Sequence, residues 1–236
     1  MLFPYGDSLT AGRAFFGVWL LLALLALLDV PAFFMPAFQA WLVGNLGFVP
    51  ALFSISPWHH IHALLTSPLV HSDIFHLLGN GFFLWVFGRS LERLFGLMRF
   101  LIVFPFLGIV GLLFQWALYP ASLSPVIGAS GAIAMLMGAY LALFPSARMK
   151  MFLFFGIGFK RFQVPAWLFL FYWGGLQIFS LLLDPDMRDS VAYAVHVGGF
   201  AVGALGAMIW KVSYPFAEER LSEFIQTAFI ARKASV

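Results

Sequence analysis

Six apolar stretches, over about residues 14–34, 73–88, 100–118, 128–144, 164–183 and 191–210, leave this chain few ways to fold. In hydrocarbon no water is at hand for backbone N–H and C=O groups, so a crossing segment bonds within itself as a helix of roughly 20 residues. The stretches therefore read as six spans of an all-α polytopic membrane protein. With 236 residues, 62% hydrophobic and 10% charged, there is no room for a second large soluble domain. One membrane domain over residues 1–211 is expected, followed by a tail over 212–236. The first stretch is too long for a signal-peptide core and reads as a retained span.

Between the first two spans, residues 35–72 are rich in Trp, Phe, Pro and His and contain no Lys or Arg. That composition suits an interfacial first outer loop. Elsewhere the basic residues alternate with the spans. Arg13 precedes the first; Arg89, Arg93 and Arg99 follow the second; Arg148, Lys150, Lys160 and Arg161 follow the fourth; Lys211, Arg220, Arg232 and Lys233 follow the sixth. Arg188 alone falls on the other side. By the positive-inside rule both termini are cytoplasmic, and loops 35–72, 119–127 and 184–190 face outward. A basic surface scattered this way marks topology and is not a nucleic-acid footprint. The layout suits a bacterial cytoplasmic membrane. In the tail, Leu221, Phe224, Ile225 and Phe229 recur at helical spacing against Glu218, Glu219 and Glu223, which predicts an amphipathic helix along the cytoplasmic interface.

Four polar residues inside the spans stand out, because unpaired polar groups in lipid are costly and mark functional sites. Ser130 lies 15 residues before Pro145, and His196 lies 15 before Lys211, so each is about 22 Å above the cytoplasmic edge. His76, 13 residues before Arg89, is at about 20 Å. Ser130, Ala134 and Gly138 share one helix face, as do His196, Gly199 and Gly203, and such small residues allow two backbones to approach closely. A serine nucleophile and its base are expected there. His76 and Asn80, four residues apart, would present donors to an oxyanion, together with the Ser130 amide. None of the ten carboxylates sits at this depth on the right span, so a Ser130/His196 dyad is the simplest machine. The chain has no cysteine, which excludes a thiol nucleophile, thiolate metal sites and disulfides.

Taken in order, Thr66-Ser67-Pro68, His71, His76 and Asn80, Gly88-Arg89-Ser90-Leu91-Glu92 with Gly96, Gly128-Ala129-Ser130-Gly131, and His196 with Gly199 and Gly203 resemble the rhomboid family of intramembrane serine proteases. The resemblance covers roughly residues 60–210. It implies a six-span rhomboid-like bundle, cleavage of transmembrane protein substrates near the outer membrane face, lateral substrate entry near residues 164–190, and no metal or cofactor. Two positions depart from the pattern. His62 and Ala63 stand where many members carry Trp-Arg, and Ala134 stands where many carry an aromatic residue against the catalytic histidine. His71 is expected to brace the loop.

Other readings remain. A catalytically silent rhomboid-like binder of transmembrane clients has the same fold. A transporter built on the histidines, or a metal site in the outer loop from His59, His60, His62, His71, Asp73 and His76, is weaker, since no tight ligand set with a Glu base accompanies them.

Overall fold

The computed structural model describes residues 2–10, 15–155, 158–183 and 192–233. Arg13 and the outer loop 184–190 with Arg188 lie outside the described residues, as do the side chains of Phe229, Arg232 and Lys233.

A short strand, β1 (Leu2–Asp7), precedes the first span, α1 (Phe16–Phe33). The first outer loop then folds into four short helices, α2 (Pro36–Leu46), α3 (Pro50–Ile55), α4 (Pro57–His60) and α5 (Ala63–Thr66). Proline opens three of them, at the first-turn position where its missing N–H costs nothing. The second span is α6 (Ile74–Phe83), continued through one π turn (Leu84–Gly88) into α7 (Arg89–Phe95). The third is α8 (Leu97–Leu118), the fourth α9 (Ser130–Leu143). A hairpin of β2 (Arg148–Phe155) and β3 (Gly158–Pro165) follows, then α10 (Ala166–Leu183), α11 (Tyr193–Ser213) and the tail helix α12 (Ala217–Lys233). Four of these helices are long and apolar enough to cross a membrane. With the shorter α9 and the continuous α6–α7 they make the six-helix bundle.

Two features differ from the sequence expectation. The second span does not stop at residue 88, because its polar continuation is buried and used. Glu92 accepts the Gly17 and Val18 amides at 2.9 and 2.8 Å, so a carboxylate on α7 satisfies orphan donors at the start of α1. Ser90 donates to Asp7 at 2.5 Å, and Tyr140 donates to the same oxygen at 2.8 Å. Asp7 is thereby buried between the second and fourth spans. The other difference is a three-stranded antiparallel sheet, ordered β1-β2-β3, whose second strand follows the C-terminal end of α9. Met149 and Met151 point into the core while Arg148 stays exposed and Lys150 half-buried, so the strand alternates at its start. The run Phe152-Leu153-Phe154-Phe155 hides that period.

The tail helix buries Leu221, Phe224 and Ala228 on the bundle, with Phe224 against Phe144 and under the Arg93 guanidinium, and leaves Ile225 exposed. On the outer side Phe48, Phe53, Leu64, Leu112, Val126 and Val195 form a second core that fixes the first outer loop to α8 and α11. Two apolar residues of that loop, Ile55 and Trp58, are over 80% exposed, which suits an interfacial excursion.

Candidate active site

Gly residues decide how close the spans come. A Cβ on Gly138 would run into Phe200 O, and one on Gly203 into Met135 O, so α9 and α11 touch backbone to backbone. A Cβ on Gly199 would lie 2.6 Å from Gly131 O, one residue after Ser130. The contact holds the first turn of α9 against α11.

Ser130 is the first residue of α9, and its Oγ lies 2.8 Å from His196 Nε2. Both residues are half-buried. On the far side of the imidazole, His196 Nδ1 lies 2.8 Å from Gln177 Oε1 on α10. Gln177 Nε2 donates to Trp173 O at 3.5 Å, which turns the amide oxygen toward the histidine. An amide oxygen only accepts, so Nδ1 carries the proton and Nε2 presents its lone pair to the Ser130 hydroxyl. Trp173 and Tyr193 flank the ring, with centroids 6.0 and 6.4 Å away. These neighbours occupy the role left open by Ala134.

His76 and Asn80 come to the same place from α6. The Asp73 carboxylate caps this helix, accepting the Phe75 and His76 amides at 2.8 and 3.0 Å. Gly128 has φ of +106°, a conformation suited to glycine, and a Cβ there would be 2.6 Å from His76 Nε2 and 3.2 Å from Asn80 Nδ2. The absent side chain thus lets the side-chain nitrogens of His76 and Asn80 close in on the turn before Ser130. Asn80 Nδ2 is buried with no hydrogen-bond partner among the described residues. Ser72 N–H donates to His76 Nδ1 at 3.4 Å, with Ser72 Oγ 3.1 Å from the same nitrogen.

His71 stands behind this group, fully buried. Its backbone N–H and Nδ1 reach Asp29 on α1 at 2.9 and 2.8 Å, and its Nε2 accepts the Ala129 amide at 3.5 Å. A chain of contacts thus runs from the first span to the residue before Ser130. His62 lies 3.0 Å from Asn45 O, and Thr66 Oγ1 donates to Leu46 O at 2.9 Å, so local bonds brace the loop that lacks Trp-Arg. His59 Nδ1 lies 2.6 Å from Ser56 Oγ. These outer-loop histidines serve separate bonds, and among the described residues no His, Asp and Glu side chains gather as a metal site.

The sequence reading missed Gln177 and Asp29. Each had a signal, an amide in the fifth apolar run and a carboxylate in the first, but a search confined to carboxylates on the spans carrying the dyad passed over both.

The model of the Rhomboid domain matches residues 57–212. The chain is 30% identical over 166 residues to Rhomboid protein 1, mitochondrial, of Saccharomyces cerevisiae, covering 67% of this chain and 44% of that protein. It is 41% identical over 90 residues to Rhomboid protease GluP of Bacillus subtilis, covering 38% and 17%. With RHOMBOID-like protein 12, mitochondrial, of Arabidopsis thaliana, it shares 30% over 201 residues, covering 76% and 56%. The chain therefore spans about half or less of the length of these relatives. Mitochondrial and bacterial proteins both occur among them, so they do not single out the bacterial membrane expected from the loop charges. A family match over residues 57–212, on a chain whose described residues hold four helices long and apolar enough to cross a membrane, makes this a multi-pass integral membrane protein of the rhomboid family.

Proposed function

We propose that this chain is an intramembrane serine endopeptidase that cleaves membrane-protein substrates in or near their transmembrane segments. The observation that carries the reading is the line Ser130 Oγ, His196 Nε2 at 2.8 Å, His196 Nδ1, Gln177 Oε1 at 2.8 Å. Ser130 attacks the scissile carbonyl while Nε2 takes its proton, and the imidazolium returns that proton to the leaving amine. An acyl-enzyme on Ser130 results, and water reaching the half-buried dyad hydrolyses it. Charge developing on the carbonyl oxygen meets Asn80 Nδ2, His76 Nε2 and the Ser130 amide, one of the first-turn amides of α9 left without an intrahelical acceptor. With Ser72 N–H donating to Nδ1, His76 keeps its proton on Nε2 and acts as a donor. The chemistry asks for no metal or cofactor.

A helix shields its carbonyls, so cleavable substrates carry helix-breaking or small residues near the scissile bond. The loop charges place both ends of the chain, the sheet and the tail 212–236 on the cytoplasmic face of a bacterial membrane, or the matrix face of a mitochondrial one, and the dyad toward the opposite side. Labelling of the detergent-purified protein with a fluorophosphonate tests the reading. Wild type should label, and Ser130→Ala and His196→Ala should not. A folded wild type that resists the probe overturns it in favour of a silent client-binding protein.

A further inference from the structure

A cavity of about 480 Å³ opens on the opposite half of the bundle, between α8, α9 and α11 and above α12. None of Ser130, His196, Gln177, His76 or Asn80 lines it. Its walls are aliphatic and aromatic, with Val103 and Leu107 on α8, Met135 and Ala139 on α9, and Val202 and Gly206 on α11. From Val202 to Tyr214 the cleft follows α11 for about 18 Å. One leaflet of hydrocarbon is about 15 Å thick, half of a 30 Å core. The cleft is therefore about one leaflet deep, from the cytoplasmic interface to the membrane midplane.

Its mouth has a different chemistry. Arg99 and Arg220 stand there beside Trp210 and Tyr214, whose rings stack at 5.5 Å. Arg99 is exposed and makes no hydrogen bond or ion pair among the described residues. Arg220 donates Nε and Nη2 to Leu94 O at 3.1 and 2.7 Å, which orients the guanidinium and leaves Nη1 unused. No carboxylate lines the cleft; Glu223 sits in a separate shallow notch on the other side of Arg220, with Arg93. Inside, Gly206 contrasts with the other glycines of α11. A Cβ on Gly198, Gly199 or Gly203 would press on Phe114, Gly131 or Met135, whereas one on Gly206 meets nothing within 4 Å.

We propose that this cleft seats one acyl chain of an anionic glycerophospholipid, with its phosphate held by Arg99 and Arg220. An apolar slot one leaflet deep fits the chain, and paired guanidinium groups at the interface fit the phosphate, since arginine forks match phosphate oxygens. Basic pockets between spans on this face hold anionic headgroups for the same reason. Aromatic Trp210 and Tyr214 mark the headgroup level. The inference is independent of peptidase activity, since it uses none of the residues of the dyad.

Native mass spectrometry of the full detergent-purified chain tests it, with phosphatidylglycerol and phosphatidylcholine of identical acyl chains, and inorganic phosphate as a third ligand. An arginine near the interface favours an anionic lipid by about fivefold, so wild type should retain phosphatidylglycerol over phosphatidylcholine by an order of magnitude. Arg99→Gln, a change at an exposed residue, should lower that preference about fivefold. Gly206→Phe, which fills the slot without meeting another atom at Cβ, should abolish retention of phosphatidylglycerol while leaving the unfolding temperature in lipid-free detergent unchanged or higher. Equal retention of the two lipids, wild-type retention by Gly206→Phe, or stabilisation by phosphate alone equal to that by phosphatidylglycerol would each overturn the proposal.

Discussion

The seam between α9 and α11 and the seat of α10 are built in opposite ways, although both deliver a residue to His196. At the seam, Gly138 on α9 and Gly199 and Gly203 on α11 bring two backbones into contact, and all three are buried. On α10 the buried residues are Ala166, Phe169 and Leu170, all in its first five positions. The outer half, including Gln177, is half-buried or exposed. The proposed nucleophile and base thus sit on the most tightly joined pair of spans, and the residue proposed to orient the base arrives on a span whose buried residues lie at its other end. On the proposed reading the Ser130–His196 distance is set by close backbone packing, and imidazole orientation by how α10 is seated.

The largest effect is expected where the seam is broken. Gly203→Val places a branched side chain on Met135 O, and neither backbone has room to retreat. Overpacking costs about 1–3 kcal/mol even where side chains can give, and here the obstacle is main chain. The variant should lose folded yield and fluorophosphonate labelling together, read by size-exclusion and thermal unfolding in detergent. A folded, fully labelled variant would show that the seam is not what sets the dyad distance. Gly199→Ala is milder. Its methyl group pushes on Gly131 O and so on the turn carrying Ser130, and a displacement near 1 Å costs about 10²-fold in rate. Labelling should slow by that factor with a small loss of stability. Unchanged labelling would mean that the first turn of α9 yields at no cost to reactivity.

Disturbing α10 should leave the fold alone and reach only the chemistry. Gln177→Ala removes the acceptor at Nδ1, so the imidazole can rotate or take the other tautomer, and kcat should fall roughly 10- to 100-fold with KM nearly unchanged. Gln177→Glu, which keeps an acceptor oxygen in place, should restore most of the rate, and neither variant should shift the unfolding temperature by more than a few degrees. Rescue by Glu separates an orienting role from a packing role. If Gln177→Ala labels like wild type while Ser130→Ala does not, the dyad reading stands and the assignment of Gln177 falls.

The same contrast explains what the sequence could show. Ser130, His196, His76 and Asn80 were readable because depth is linear in residue number along a helix, and because small residues at spacings of three and four announce a close crossing. Gln177 was not, since its partner is set by the rotation of α10 about its axis, and a span with apolar residues on all sides carries no phase. Asp29 was hidden for a related reason: its value lies in His71, which is 42 residues away and joined to it only by tertiary packing. The β sheet was obscured by Phe152 to Phe155, whose continuous apolarity masks the alternation of Arg148 to Met151. Asp7, outside every apolar stretch, gave no sequence signal of its burial against Ser90 and Tyr140, which ties β1 to the second and fourth spans.

The smallest effect belongs to the loose half of α10, and it is the one that most sharpens the comparison. Gly175 lies two residues before Gln177, and a Cβ there meets nothing within 4 Å. Alanine is favoured over glycine in a helix interior by about 1 kcal/mol, so Gly175→Ala should hold or slightly raise the unfolding temperature. Labelling should stay within about twofold, because stiffening the helix does not move the amide of Gln177 relative to Trp173. The same Gly→Ala change at Gly199 costs activity because a neighbour's main chain is in the way. If Gly175→Ala proved as damaging as Gly199→Ala, the outer half of α10 would have to be packed against something, and the division between a rigid seam and a freely seated orienting span would no longer describe this site.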